Sequence, residues 1–306
     1  MALLREPDLN DQYQRPYGAP RPVPTAPLAQ DAAPRRRKGE KVLPAVHPNI
    51  GLEAAYRRRL RALVDDMHRS FDYWLKAAYR ANEPAIAQDE VPAAELQKAI
   101  DELTRQWRRR FKEGSIDLAK WFATKASRRS DDALRAILRR SGISVEFQMS
   151  PAMRDILRAT IEQNVQLIKS IPEAYLTQVQ GAVMRSVQTG RDLGSLAKEL
   201  EEHYGVTRRR AAIIARSQNN LATASMTAAR QNEVGITKCK WLHSHGGKEP
   251  RRTHVAESGK EYNPAVGWYD PEAYRVRGGG FRGEWILPGQ LPGCRCVSAA
   301  VIKGFT

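Results

Sequence analysis

Side chains that could bind a metal are concentrated in the last quarter of the chain. All three cysteines, Cys239, Cys294 and Cys296, occur there, and His254 lies between them. Thiolate and imidazole are suitable zinc ligands, and a structural zinc site uses four of them. One interpretation is therefore a structural zinc site with His254, Cys294 and Cys296 as ligands. The candidates for the fourth ligand are Cys239, His243 and His245.

The alternative is that these cysteines are core residues. The Cys-x-Cys spacing of Cys294 and Cys296 is tighter than the usual spacing of zinc-binding cysteines. A disulfide across this spacing would be strained, and an odd, clustered set of cysteines argues against a secreted disulfide framework. Cys294 and Cys296 would then be reduced, buried residues of a strand. The sequence leaves both interpretations open and predicts no other cofactor.

The histidines also raise the question of a hydrolytic centre. In a metal-dependent nuclease, His243, His245 and His254 would act beside metal-binding acids. The nearby acids form no recognisable motif; they are Glu249, Glu257, Glu261 and Asp270. The run Gly278-Gly279-Gly280 lacks the Lys-Ser/Thr of a phosphate-binding loop. We therefore predict no catalytic residue and a protein that is not an enzyme, with a metal-dependent nuclease as the alternative.

The charge of the chain indicates a polyanionic partner. Lys and Arg total 50 against 34 Asp and Glu, which gives a net charge of +16. Such a surplus attracts nucleic acid, and guanidinium groups bind phosphate bidentately. The predicted DNA contacts are Arg57, Arg58, Arg59, Arg61, Arg108, Arg109, Arg110, Arg208, Arg209 and Arg210. Because nothing indicates base readout, we expect non-specific, salt-sensitive binding of double-stranded DNA; the alternative is that these arginines only solvate helix faces.

Three segments are predicted to carry these residues, in an α+β fold. Recurring prolines and the basic cluster Arg35–Lys38 predict a disordered arm over residues 1–50. Residues 51–148 form a helical basic region. Residues 149–306 form a second domain, with helices to about residue 235 and a compact strand-and-loop cap over residues 236–306.

Apolar spacing and helix signals define the predicted helices. Steps of three and four residues predict an apolar face on the first helix; its members are Leu52, Tyr56, Leu60, Leu63, Met67, Phe71, Trp74, Leu75 and Tyr79. A second helix is predicted to open at Val91-Pro92, and Ser150 to cap a helix that starts at Pro151. Helix boundaries are also predicted at Pro84, Gly114, Pro172, Gly205 and Gly235.

The order of motifs after about residue 170 resembles a known family. Ala215-Arg216-Ser217-Gln218 lies in an alanine-rich helix, and Trp241 follows in a strand. Arg251-Arg252-Thr253-His254, Gly259 and Pro292-Gly293-Cys294-Arg295-Cys296 come next. This order resembles the Mu F-like, or phage head morphogenesis, family over roughly the last 40% of the chain. Gln218 and His243-Ser244-His245 stand where many relatives carry Glu and Asp, so we do not expect a charged pair between these positions.

The resemblance implies a minor head (capsid) protein of a phage. As the resemblance implies it, the protein would act in head morphogenesis, associate with the portal and other capsid proteins, and serve DNA packaging or delivery. It would reach the procapsid and virion from the host cytoplasm. The motif residues are Arg216, Trp241, Arg251, His254, Gly259, Pro292, Cys294, Arg295 and Cys296, and we interpret Arg216 as a buried partner within the motif domain. The alternative function is a metal-dependent nuclease or DNA-processing enzyme of a phage.

No membrane association is predicted. A spanning helix needs about 20 apolar residues, and no stretch of the sequence approaches that length. At the N-terminus, Arg5, Glu6 and Asp8 come too early for the apolar core of a signal peptide.

Overall fold

The computed structural model describes residues 39–81, 91–188, 193–246 and 249–303. Within these ranges the chain forms five helices and six strands. The helices are α1 (Ile50–Ala81), α2 (Val91–Arg140), α3 (Pro151–Gln188), α4 (Leu193–Glu233) and α5 (Arg252–Ala256). The strands are β1 (Glu40–Val42), β2 (Cys239–Leu242), β3 (Glu261–Tyr262), β4 (Trp268–Arg275), β5 (Phe281–Ile286) and β6 (Val297–Lys303). The predicted α+β class is confirmed.

Several predicted helix ends are confirmed. Helix α2 begins at Val91. The Met153 backbone N–H donates to the Ser150 hydroxyl over 3.1 Å, which caps α3. After α4, Gly235 adopts a φ of 75°, and the Ile236 N–H donates to the Gln231 carbonyl over 2.8 Å. The predicted boundary at Pro84 lies outside the described residues.

Three other predicted helix boundaries are wrong, because Gly114, Pro172 and Gly205 all lie inside continuous helices. A glycine inside a helix costs about 1 kcal/mol and a proline about 3 kcal/mol. Burial on both sides offsets these costs: Phe111 and Leu118 flank Gly114, and Ile171 and Tyr175 flank Pro172, all of them buried. Single helix breakers are thus outweighed by the packing of the faces on which they lie.

The contacts divide the chain into two compact units that do not coincide with the three predicted segments. Of the described residues, the helical unit contains those between 48 and 129 and between 149 and 222, and the mixed unit contains 39–47, 130–148 and those between 223 and 303. Two of the four boundaries between the units fall inside α2 and α4. Among the described residues, no helix is long and apolar enough to cross a membrane.

In the helical unit, α1 supplies much of the core. Its predicted apolar face is largely confirmed, since Tyr56, Leu60, Met67 and Phe71 are fully buried. Trp74 is an exception, with 54% of its surface exposed. Adjacent residues point about 100° apart around a helix, so Trp74 cannot share the face of Leu75. Phe71 and Leu75 are four positions apart and therefore lie together on the buried face.

A buried polar chain also crosses the helical unit. The Tyr56 hydroxyl donates to Asn164 Oδ1 over 2.8 Å, and Asn164 Nδ2 donates to Gln218 Oε1 over 2.8 Å. Gln218 is fully buried. Since buried polar groups must be hydrogen-bonded, this chain ties α1, α3 and α4 to one another. The neutral Gln218 therefore has a packing role in the helical unit.

The mixed unit is built on a four-stranded antiparallel sheet with the order β1-β6-β2-β3, and β4 and β5 form a separate hairpin. The predicted disordered arm over residues 1–50 is wrong from residue 40 onwards. Strand β1 pairs with β6, with Glu40 opposite Lys303, and Leu43 and Val46 are buried in the core. Residues 1–38 of the predicted arm lie outside the described residues.

Candidate metal centre

The short helix α5 holds His254 in the interior of the mixed unit. Arg251, at the N-terminal end of α5, donates from Nη2 to the Pro292 carbonyl over 3.0 Å. After α5, Gly259 adopts a φ of 87°, and its N–H donates to the Trp241 carbonyl over 2.8 Å. The left-handed backbone at Gly259 lets the chain turn directly from α5 into β3, which pairs with β2. Four motif residues thus place a fifth, His254, opposite the segment that carries the cysteines.

A turn before β6 presents Cys294 and Cys296. The Cys294 N–H donates to the Leu291 carbonyl over 2.9 Å, and Gly293 has a φ of 71°. Both cysteines are reduced and buried. They precede β6, so the interpretation that they lie within a strand is wrong, although their burial agrees with it. Arg295, between them, is exposed and donates to the Gly246 carbonyl over 2.8 Å.

His254, Cys294 and Cys296 meet at one point. The Cys294 sulfur lies 3.4 Å from His254 Nδ1, and the Cys296 sulfur lies 3.7 Å from the same nitrogen. All three candidate ligand atoms are within 4.8 Å of one another. The structure therefore brings together the three residues that the sequence predicts as zinc ligands.

Asp270 fixes the orientation of the imidazole. Its Oδ2 lies 3.1 Å from His254 Nε2, and its Oδ1 accepts the Glu272 N–H over 3.0 Å. Asp270 is fully buried. A neutral histidine that donates Nε2–H to this carboxylate has its Nδ1 lone pair directed at the two sulfurs. The same carboxylate–histidine arrangement orients the histidine ligands of most metal sites.

The cluster favours negative charge on sulfur. The hydrogen bond with Cys296 and the contact with His254 hold the pKa of Cys294 well below its ordinary range, although burial opposes this. The hydrogen bond with Cys294, together with burial, raises the pKa of Cys296. Burial alone would lower the pKa of His254, but the hydrogen bonds with Asp270 and Cys294 raise it. The two thiols thus behave as a pair in which one proton is readily lost.

Aromatic side chains close the cluster on one side. Trp241 is fully buried, and its ring meets the His254 ring edge-on at a centroid distance of 5.0 Å. Trp268 meets the His254 ring in the same manner at 6.1 Å. The Trp241 indole N–H interacts with the Cys296 sulfur without reaching standard hydrogen-bond geometry. The cluster is therefore enclosed in apolar surroundings.

Of the three candidates for a fourth ligand, the structure does not bring Cys239 to the cluster. Its thiol donates to Gln231 Oε1 over 3.3 Å, and burial raises its pKa to about 11. His243 follows β2, and its charge interacts with those of Cys294 and His254. Its Nδ1 accepts the His245 N–H over 3.1 Å. His245 itself is exposed.

The acids considered for a nuclease centre are not gathered around the histidines. Glu261 pairs with Lys238, and Glu257 pairs with Lys260. Glu249 is exposed. Among the described residues, Asp270 is the acid that contacts His254, and it does so through a hydrogen bond. This arrangement orients an imidazole and offers no second carboxylate for a hydrolytic metal.

The predicted DNA-contacting arginines lie in the helical unit. Several are held by acids or aromatic rings. Arg110 lies 3.7 Å from Asp66 and Arg208 lies 3.2 Å from Asp65, so the clusters of α2 and α4 converge on one turn of α1. Arg69 also pairs with Asp66. Further contacts are Arg57 with Glu53, Arg108 with Glu173, and Arg59 stacked over Trp121.

Six members of these clusters are exposed. Three of them, Arg58, Arg109 and Arg209, form neither an ion pair nor a stacking contact with an aromatic ring within the described part of the chain. Arg61 and Arg210 are partly buried. Arginines in the same neighbourhood outnumber Asp65 and Asp66, so the surface keeps a positive surplus after the ion pairs form.

The predicted buried role of Arg216 is wrong. Arg216 is 38% exposed and lies 3.6 Å from Glu53, inside the helical unit. The buried arginine of α4 is Arg230, which is 2% exposed and forms two hydrogen bonds with Asp131, over 2.8 and 2.9 Å. It also donates to the Glu233 carboxylate. No local sequence signal distinguishes Arg230 from Arg216, because alanine directly precedes both.

Comparison with known proteins identifies the segment that contains this centre. Residues 177–299 match the family model described as Phage Mu protein F like protein. This segment is Mu F-like. It contains all nine motif residues, of which eight lie in the mixed unit and Arg216 lies in the helical unit. The resemblance predicted from the motifs is confirmed over these residues.

One curated relative matches about half of the chain. This protein of Haemophilus influenzae, strain Rd, described as "Uncharacterized protein", is 32% identical over 160 residues, which cover 52% of this chain and 32% of the relative. The chain thus spans about a third of the length of the relative it matches. No solved structure matches.

Proposed function

We propose that this chain is a minor head protein of a phage that acts in head morphogenesis and is carried in the virion. The observation that carries the proposal is the Mu F-like match over residues 177–299, in which the motif residues His254, Cys294 and Cys296 meet at one point. The family is one of phage head proteins, and capsid proteins are the partners that it suggests. We also propose that the chain associates with the portal, on the basis of the same resemblance.

Double-stranded DNA is the second proposed partner. The net charge of +16 supplies long-range attraction to a polyanion. The convergence of α2 and α4 arginines on Asp65 and Asp66 supplies a local surface. The two aspartates hold Arg110 and Arg208 in place, and Arg58, Arg109 and Arg209 project outward. Such a surface binds phosphates without reading bases, as a protein in contact with packaged DNA requires.

A pull-down experiment tests the capsid part of the proposal. The full chain with an affinity tag is mixed with separately purified portal protein and, in parallel, with major capsid protein of the same phage. We expect the portal to be retained at physiological salt, and retained equally after nuclease treatment, since the contact is between proteins. Retention of neither capsid component would contradict the proposal, and retention that disappears with nuclease would assign the contact to DNA alone.

The alternative of a metal-dependent nuclease gains no support from the site. His254 is directed at two buried sulfurs and an orienting carboxylate, with tryptophans on one side. A duplex phosphate has no approach to a cluster in which all three groups are buried. Incubating the protein with duplex DNA and Mg²⁺, Mn²⁺ or Zn²⁺ tests this directly. Cleavage that is abolished by His254→Ala would reverse the conclusion.

A further inference from the structure

We propose that the mixed unit binds one structural Zn²⁺ ion through Cys294, Cys296, His254 and His243. The proposal concerns how the Mu F-like segment is held together, and it does not depend on the role of the protein in a phage head. It is carried by four observations: the spacing of three ligand atoms, the orientation of the imidazole, the enclosure of the site and the place of His243.

The spacing of the ligand atoms fits a zinc tetrahedron. With Zn–S near 2.3 Å and Zn–N near 2.0 Å, a tetrahedral ion separates sulfur from nitrogen by about 3.6 Å. The observed separations from His254 Nδ1 are 3.4 Å for Cys294 and 3.7 Å for Cys296. The two sulfur–nitrogen separations therefore match two edges of one face of the tetrahedron, and the two sulfurs lie within 4.8 Å of each other.

The hydrogen bond between Asp270 and His254 orients the imidazole as a metal ligand. It fixes Nδ1 as the coordinating nitrogen and increases the basicity of the ring.

The burial of the cluster favours a structural zinc site over a catalytic cysteine. Cys294 with His254 and Asp270 also has the order of a nucleophile, a base and an orienting acid. A nucleophile must meet a substrate, however, and Cys294 and Cys296 are only 4% and 3% exposed. Two thiolates with imidazole in a closed site are ligands of zinc, which prefers sulfur and nitrogen in tetrahedral geometry.

His243 closes the site. It follows β2 directly, two residues after Trp241, whose ring meets the His254 ring edge-on at 5.0 Å. Because its Nδ1 accepts the His245 N–H, its Nε2 is the nitrogen that remains for a metal. His243 is not among the three groups within 4.8 Å of one another, so its ring must move toward the ion on binding. The resulting Cys₂His₂ site joins the end of β2, α5 and the turn before β6.

Metal analysis of the purified full chain gives the first test. Protein from zinc-supplemented cells is expected to contain one Zn²⁺ per chain after gel filtration. Replacement by Co²⁺ is expected to give the intense visible absorption of a tetrahedral site and a thiolate-to-cobalt band in the near ultraviolet. Sub-stoichiometric zinc, or Co²⁺ absorption without a thiolate band, would overturn the proposal without relying on any variant.

Variants then identify the ligands. Cys294→Ser, Cys296→Ser and His254→Ala are each expected to lose stoichiometric zinc, and Asp270→Asn to weaken zinc binding by about 10- to 100-fold. The matched control is Cys239→Ser, which removes the third buried cysteine of the same unit and is expected to retain one Zn²⁺. Circular dichroism of each variant shows whether it has folded. Loss of zinc from the folded Cys239→Ser protein, equal to that of the ligand variants, would contradict the proposed ligands.

The fourth ligand has its own readout. His243→Ala is expected to bind Co²⁺ with a shifted visible spectrum and weaker affinity, because water replaces a nitrogen ligand, while the thiolate band persists. His245→Ala is the control, since its side chain is exposed and adjacent. An unchanged spectrum in His243→Ala would exclude His243 from the site.

Discussion

Removing the three outward arginines tests the proposed DNA surface. The variant Arg58→Gln, Arg109→Gln, Arg209→Gln removes groups that are exposed and form no ion pair within the described residues. It leaves Arg110 and Arg208, which hold Asp66 and Asp65, and therefore leaves the packing of α1, α2 and α4 intact. Each phosphate contact contributes about 0.9 to the slope of log affinity against log salt concentration. Three lost contacts should reduce the magnitude of that slope by about 2.7.

The assay is fluorescence anisotropy with two duplexes of unrelated sequence, titrated at several salt concentrations. The affinity of the variant should fall for both duplexes alike, because no base is read. The matched control is Arg128→Gln, Arg129→Gln, Arg154→Gln, which removes the same charge from exposed positions of the same unit outside the predicted clusters. An equal change of slope in the two triple variants, or no change in either, would refute the localisation of DNA to this surface.

Three further outcomes follow from buried or strained groups. Burial lowers the pKa of His68 below its ordinary value of 6.5, despite nearby carboxylates. Its contribution to stability is therefore complete above pH 6.5 and is lost as the pH falls. In urea unfolding between pH 8 and 5, the free energy of unfolding of His68→Gln should fall less steeply than that of the wild type, and parallel decreases would contradict this. Arg230→Met leaves Asp131 without its buried partner and should lower the free energy of unfolding by about 3 kcal/mol, whereas a loss below 1 kcal/mol would show that the ion pair contributes little. Gly267→Ala should destabilise far more than Gly259→Ala in thermal unfolding, since both have a φ of 87° but an added Cβ meets the Ile286 carbonyl oxygen at 2.5 Å only at Gly267; equal shifts in Tm would argue against this close approach.

The sequence predicted the three central residues of the candidate metal centre but not Asp270, which orients His254. His254, Cys294 and Cys296 are recognisable because thiolates and imidazole are rare and have a defined chemistry. Asp270 is one of many acids, and its role depends on where β4 places it relative to α5. Nothing in local spacing reports that contact. For the same reason, the sequence could not choose His243 over the other candidates for a fourth ligand, since its distance from the cysteines depends on how β2 pairs with β6.

Helix boundaries and the first strand show the limits of local signals. Gly114 and Pro172 disfavour helix locally, but each lies between buried apolar residues whose packing stabilises a continuous helix. Strand β1 could not be predicted, because Glu40–Val42 is short and its partner, Val301–Lys303, lies at the other end of the chain. A proline-rich composition around it favoured disorder. Pairing with β6, together with the burial of Leu43 and Val46, compensates for that preference.

Arg216 and Arg230 illustrate the same point within one helix. Both lie among small residues of α4, and spacing alone gave no reason to distinguish them. Arg230 is buried because Asp131 and Glu233 neutralise it there. Arg216 meets Glu53 at the surface. Arg230 pairs with Asp131 of α2, and Arg216 pairs with Glu53 of α1. The burial of each arginine thus depends on a different helix that packs against α4, which local sequence does not show.

Quantitative mass spectrometry of purified particles shows whether this chain is a component of phage heads. Procapsids and mature heads are prepared from cells that produce the phage encoding this chain, and its abundance is measured relative to the portal protein. The account predicts that the chain is present in procapsids at a fixed ratio to the portal and remains after DNA outside the particles has been digested. Absence of the chain from both kinds of particle, with abundant chain free in the lysate, would contradict it.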